Sequence, residues 1–256
     1  MIAFLTGSGF YGREGFEPTS VATRFGEVTV LTGEIAGKPV LLLPRHGAAH
    51  RYLPHQIPHR GNLLALKEAG ATAVVSCTVC GVIRPEWGIG EPMVASDLWF
   101  PENRLGDGSA CTIFMEPGEE GRGHAIAESF FHSALTEDVR RLLERTAGVC
   151  RTGCYAHGHG PRFNSKAEIR AMRAGGADFV SQTCGPEAVL ANELELPYAL
   201  AAFGTDFANG VSETPTPVEE LQALMARSKD VFGRLMEALV AEEGDYRFEN
   251  VVFRFS

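Results

Sequence analysis

The chain lacks a surplus of positive charge: 23 lysines and arginines stand against 32 aspartates and glutamates, a formal net charge of −9. That balance speaks against nucleic acid and anionic membrane surfaces as partners, since both are bound through excess Lys and Arg. Also missing is any apolar run near the roughly 20 residues that cross a bilayer. No basic segment backed by an apolar stretch opens the chain, so a cytoplasmic protein is expected. Repeats, low-complexity tracts and linker-like stretches are absent, and one domain over residues 1–256 is expected. Cysteine is sparse, six in all. Cys77 and Cys80 form a C-x-x-C, and Cys150 and Cys154 a second close pair, which together could supply four thiolates to zinc. Both pairs border strand-like runs rather than tight polar turns. Buried, reduced thiols are therefore expected, and no metal.

With 45% hydrophobic and 21% charged residues, the chain can bury a sizeable core. Strand-like runs cover 2–6, 28–33, 39–44, 72–78, 91–96, 153–156, 178–181 and 198–203. Helical patterns cover 58–69, 137–146, 166–173, 186–194 and 217–240. Ser165 and Glu168 make a capping box, and Pro217 suits a first helical position. Val218, Leu221, Met225, Phe232, Leu235 and Leu239 form one apolar stripe on the last helix, expected to pack on the core. The stretch 101–123 has no clear periodicity and is expected to be a mobile or interface loop.

Two groups of residues suggest chemistry. Gly7-Ser8-Gly9 follows the apolar run Ile2-Ala3-Phe4-Leu5, and Arg45-His46-Gly47 ends another. Glycines expose backbone N–H groups, a small hydroxyl donates, and a guanidinium grips two oxygens, which is what an oxyanion needs. In open α/β sheets ligands sit at the carboxyl ends of strands. Residues 7–12 also spell the G-x-G-x-x-G of dinucleotide-binding folds, but no amphipathic helix follows Gly12, so that fingerprint lacks its context. Thr78, Thr183 and Asp206 fall at similar strand exits. Taken alone, these residues support a phosphate-using enzyme and no more.

Several motifs then recur in the order seen in trimeric purine nucleoside and methylthioadenosine phosphorylases. They are Gly7-Ser8-Gly9, Thr23-Arg24-Phe25-Gly26, Arg45-His46-Gly47 with His50, Asn62 to Gly70, and Thr78-Val79-Cys80-Gly81. Gly160-Pro161-Arg162-Phe163, Gly176-Ala177-Asp178, Pro186-Glu187 and Thr205-Asp206 continue the series. The chain resembles that family from Ile2 to about Val240, with 244–256 a C-terminal extension beyond it. The resemblance implies a single α/β domain around a mixed, partly barrel-like β-sheet flanked by helices, as in purine and uridine phosphorylases. It implies a phosphate site from Ser8, Arg45, His46, Thr78, the Val79 backbone N–H and Thr183. Val79, Cys80, Gly81 and Phe163 would line the base pocket, and Asp206 would face the purine N7 edge. Gln182 stands where the family contacts the ribose, and His124 resembles a histidine lent by a neighbouring subunit to the 5′ end of the nucleoside. A homotrimer, or a hexamer of paired trimers, is implied, with inorganic phosphate as co-substrate and no cofactor.

Phosphorolysis explains these residue types. Cleavage places positive charge on the sugar and negative charge on the departing purine. Phosphate below the anomeric carbon stabilises that cation and then attacks it, while a protonated Asp206 quenches the leaving group. Asp206, Arg45 and His46 are the expected catalytic groups. Departures from the family pattern sit around the substrate: Ala208 where adenine-specific members carry a second acid, His159 in place of Glu, and Gln182 in place of Met. Two other activities remain open at this point, a nucleosidase that uses water and a non-catalytic nucleoside-binding protein.

Overall fold

Four parallel strands bring their carboxyl ends to one side of the molecule, and the site is built there. In the computed structural model, which describes all residues except 9, 11, 243 and 256, β1 (Ile2–Thr6) pairs in parallel with β4 (Lys38–Pro44) and with β5 (Ala73–Val82). β5 pairs in parallel with β10 (Tyr198–Phe207). These strands are apolar on both faces because helices cover both faces. Alternate residues of β5 show it: Val74, Cys80 and Val82 enter one core cluster, Ala73, Val75 and Cys77 the other. Cys77 and Cys80 thus point to opposite faces, and their C-x-x-C spacing cannot converge on one ion.

The sheet has nine strands in the order β10-β6-β8-β9-β5-β1-β4-β3-β2, with β10 also bonded to β5. That extra pairing closes β10, β6 (Pro92–Trp99), β8 (Arg151–His157), β9 (Phe179–Ser181) and β5 into a five-stranded barrel. β3 (Gly26–Ile35) and β2 (Glu17–Thr23) extend the open edge as antiparallel strands. The β2 strand occupies the segment after Gly12, so no helix follows the glycine motif, and Gly9 of that motif lies outside the described residues.

Helices α1 (His59–Glu68) and α4 (Cys184–Glu193) pack on one face, and α2 (Ser133–Ala147) and α5 (Val218–Ala241) on the other. α3 (Lys166–Ala174), opened by the Ser165–Glu168 capping box, covers a smaller cluster beside the barrel. Two expectations need correction, and a third is narrowed. Strands β5 and β10 run four residues beyond their apolar cores, so Thr78 and Asp206 lie within strands and not at their exits. The α5 stripe divides: Phe232, Leu235 and Leu239 are buried in the core, whereas Val218 is exposed and Leu221 and Met225 face a cavity. The irregular stretch 101–123 is pinned to the body, because Arg60 donates to the carbonyls of Ala110 and Thr112, and Glu193 accepts from the Ile113 N–H.

The tail strand β11 (Val251–Arg254) pairs antiparallel with β7 (Gly123–Ile126) as a separate two-stranded ribbon. The described residues contain no helix long and apolar enough to cross a membrane.

Candidate active site

A cavity of about 360 Å³ opens at the carboxyl ends of β1, β4, β5 and β10. Most of the expected residues meet there: Ser8, His46, Thr78, Val79, Cys80, Gly81, Phe163, Gln182, Thr183 and Asp206 all line it. Separations of up to about two hundred residues in sequence are closed by two features of the sheet. Parallel pairing aligns β1, β4, β5 and β10, and the short antiparallel β9 returns alongside β5 at Gly81↔Val180, which delivers Gln182 and Thr183 next to Thr78.

One end of the cavity is rich in neutral hydrogen-bonding groups. Gly7 and Ser8 come from the turn after β1, His46 from the end of β4, Thr78 from β5, and Thr183 from the N-cap position of α4. Thr183 makes no capping bond with its side chain, and the α4 amides begin beside it. His46 Nδ1 lies 2.8 Å from the Tyr52 carbonyl oxygen. A carbonyl only accepts, so Nδ1 carries the proton and the neutral ring presents Nε2 as an acceptor. Burial, reinforced by the Arg45 charge, pushes the His46 pKa down to about 4. His50 stacks on the same ring at 4.2 Å between centroids.

Arg45 departs from expectation. Its side chain does not line the cavity but lies fully buried beneath it, with Nε donating to Glu187 Oε1 at 2.6 Å. Nη1 donates to the Cys77 carbonyl at 2.9 Å, and Nη2 to the Leu5 carbonyl at 2.8 Å and Ser76 Oγ at 2.5 Å. Four of the five guanidinium N–H groups are thus engaged by a carboxylate, two carbonyls and the Ser76 hydroxyl. Desolvation is the largest influence and acts against the Arg45 charge, but Glu187 together with Cys184 and Tyr198 outweighs it and the pKa is raised. The sequence holds the signal for this partner in Pro186-Glu187, but nothing in it places that carboxylate under β4.

The other end of the cavity is apolar with one acid. Asp206 sits on β10 just past a register shift between Gly204 and Asp206, a bulge that turns the strand locally. Burial raises its carboxyl pKa, partly offset by the hydrogen bond that Thr205 Oγ1 donates to Oδ1 at 3.1 Å. Ala208, Ile169, Val180, Leu221 and Met225 complete that wall. Phe163 stands at the mouth, 72% exposed, across from the half-exposed Leu53. Gln182 is committed to the loop beneath Phe163: Nε2 donates to the Arg162 carbonyl at 2.8 Å, and its Oε1 packs against Gly160. Asn209, three residues after Asp206, also lines the cavity while its amide donates to the Asn164 carbonyl at 2.7 Å, and His50, Leu221 and Met225 are lining residues that sequence reasoning did not assign to the site.

His124 is not in this cavity. It lies on β7, where the Phe255 ring packs edge-on at 5.2 Å, and it borders a separate cavity with Phe100 and Glu193. The outer face of the ribbon that carries it is apolar and open, with Ile126, Val251, Phe253 and Phe255 exposed. His159 pairs with Glu102 at 2.5 Å outside the cavity.

Comparison with known proteins agrees with this geometry. The profile of the phosphorylase superfamily matches residues 2–241. The 6-oxopurine nucleoside phosphorylase of Pyrococcus furiosus is 32% identical over 249 residues, covering 93% of this chain and 91% of that protein. The S-methyl-5′-thioadenosine phosphorylase of Pyrobaculum aerophilum is 31% identical over 249 residues, covering 93% and 86%. In fold, the chain is similar to a methylthioadenosine phosphorylase from an antarctic soil metagenomic library, with a TM-score of 0.83 at 24% identity over 94% of this chain and 85% of that one. It is similar also to the Schistosoma mansoni methylthioadenosine phosphorylase bound to tubercidin, with a TM-score of 0.82 at 24% identity over 95% and 92%.

Proposed function

The chain belongs to the phosphorylase superfamily, and from that premise we propose that it cleaves a purine nucleoside with inorganic phosphate, releasing the free base and a pentose 1-phosphate. One observation carries this reading: a single cavity has anion-binding groups at one end and a carboxyl group held toward its protonated form at the other.

Phosphate binds at the neutral end. The hydroxyls of Ser8, Thr78 and Thr183 and the Val79 backbone N–H donate to it, beside the N-terminus of α4. His46 meets it through the Nε2 lone pair, so this ring accepts a P–OH proton and selects a protonated form of the anion. Asp206 donates to the purine N7 as the glycosidic bond lengthens, and neutralises the charge that develops on the base. Cys80, Gly81 and Phe163 enclose the base. Ribose lies between the two ends near Gln182, which acts by holding the 160–162 loop. No metal or redox cofactor enters these steps.

Methylthioadenosine is the substrate we favour among purine nucleosides, because a protonated Asp206 that donates its O–H to N7 keeps its second oxygen as an acceptor, which pairs with a 6-amino group and opposes a 6-oxo group. The enzyme works as a cytoplasmic homotrimer in which His124 reaches the 5′ end of a nucleoside in the adjoining subunit. The open apolar face of the β7–β11 ribbon supports burial of that region against a second copy.

Product analysis with and without phosphate tests the reaction. Phosphate-dependent release of base and sugar 1-phosphate is expected. Release without phosphate identifies a nucleosidase, and no release identifies a binding protein. Light scattering tests the assembly: a monomer that is active at assay concentration removes the role of His124.

A further inference from the structure

Three chain segments that carry anion-binding groups are tied together by one buried ion pair below the cavity. Arg45 and Glu187 both have fully buried side chains, and neither lines the cavity. From Arg45, Nη2 reaches the Leu5 carbonyl, two residues before Gly7, and Nη1 reaches the Cys77 carbonyl, one residue before Thr78. Glu187 sits in the first turn of α4, four residues after Thr183, and its Oε2 accepts from Ser76 Oγ at 2.6 Å and Tyr198 Oη at 3.1 Å. The β1 turn passes directly over the guanidinium. A Cβ on Gly7 would lie 2.6 Å from Arg45 Nη1 and 3.3 Å from the Cys77 oxygen, so the position admits only glycine without rearrangement.

A buried ion pair is a poor source of stability, because desolvation of both charges offsets their attraction. What it supplies here is direction. The carboxylate engages Nε and Nη2 on one side of the fork, which fixes where Nη1 and Nη2 point, and those two atoms hold the carbonyls of β1 and β5. We propose that Glu187 is the positioning residue of the phosphate subsite, setting through Arg45 the mutual spacing of Ser8, Thr78 and Thr183. The proposal rests on reading that end of the cavity as the phosphate subsite.

Glu187→Gln tests it. Glutamine keeps the length of the side chain but turns an amide N–H group toward donors, so Arg45 loses its anchor. Titration calorimetry with inorganic phosphate should show affinity weakened by about tenfold or more, as expected for losing a hydrogen bond to a charged group. The phosphate KM should rise in parallel, while the nucleoside KM changes by less than about twofold. Tyr198→Phe removes a single donor to Oε2 with little change of shape, and should weaken phosphate by a few-fold in a protein that still folds. Thermal unfolding adds a readout that packing alone would not move: the rise in Tm produced by saturating phosphate should shrink in both variants. Unchanged phosphate affinity in Tyr198→Phe together with a full phosphate-induced Tm rise overturns the proposal. So does tighter phosphate binding by Glu187→Gln, which would make the carboxylate an opponent of the anion. A wild-type protein that binds no phosphate overturns it as well. Wild-type protein that binds phosphate without turning over nucleosides defeats the phosphorylase reading alone, and the calorimetric comparison still decides the role of Glu187.

Discussion

The two ends of the cavity are built by different means. At the phosphate end, short side chains and backbone sit on strand and helix ends, and a buried ion pair beneath them joins β1, β4, β5 and α4. At the base end the acid is buried, but the cover is a Phe163 that is 72% exposed and a loop held by Gln182. The phosphate is the same for every substrate, so that end can be rigid. The end that admits the nucleoside has an open mouth, and its chemistry depends on a single carboxyl group. The same contrast appears in protonation. Burial keeps His46 neutral at the phosphate end and keeps Asp206 toward its neutral form at the base end, so one end resists positive charge and the other negative charge.

The largest effect should come from the base end. Asp206→Ala removes the proton donor to the leaving purine and should lower kcat by about 10²–10⁴-fold with phosphate affinity unchanged. Steady-state kinetics with varied phosphate check this, and a simultaneous loss of phosphate affinity would mean that the two ends are not separable. Arg45→Ala breaks the phosphate end differently. It strands the buried Glu187 carboxylate and should cost about 3–5 kcal/mol of folding stability in addition to phosphate affinity. Urea unfolding measures the first: a variant as stable as wild type would show that the ion pair does not hold that end together.

Lowering the pH sharpens the contrast. His46 and His59 both have folded pKa values near 4 against an ordinary 6.5, in each case lowered first by burial. Below pH 6.5 the unfolded chain binds protons that the folded rings refuse. Stability therefore falls as pH drops and levels off only near pH 4, where the folded rings also protonate. By pH 5 the loss should reach about 2 kcal/mol per ring. Asp206 acts with the opposite sign, since a raised folded pKa favours folding as pH falls toward its unfolded value. Unfolding free energies from pH 7 to pH 5 check the balance: a flat profile in wild type, or an unaltered slope in His59→Gln, would contradict it.

The smallest effect concerns the purine. Ala208 removes the second acceptor for an exocyclic amine, so the preference for methylthioadenosine over methylthioinosine should be modest, about 0.5–1.5 kcal/mol or a few-fold to tenfold in kcat/KM. Ala208→Asp should widen it. A clear preference for the inosine analogue would reverse the reading of the Asp206 edge.

Local pattern determined a good deal of this protein. Apolar runs marked the main strands, Ser165 and Glu168 marked the start of α3, and the glycine motif without a following helix set aside dinucleotide binding. Residues with hydroxyl, imidazole and carboxyl groups near strand ends were legible as site candidates because such chemistry shows in the residue type itself. Strand β2, with seven residues mostly exposed, was not legible, since it lies at the sheet edge and carries no buried face to impose a period. The apolar stripe of α5 was visible, but whether Leu221 and Met225 meet core or cavity depends on what lies opposite them. Arg45 shows the limit most plainly. The sequence supplies a guanidinium at a strand end, where a bound anion and a structural carboxylate make the same demand on it. Only the packing of α4 against β5 and β10, which brings Glu187 from 142 residues away to 2.6 Å, reveals the structural carboxylate.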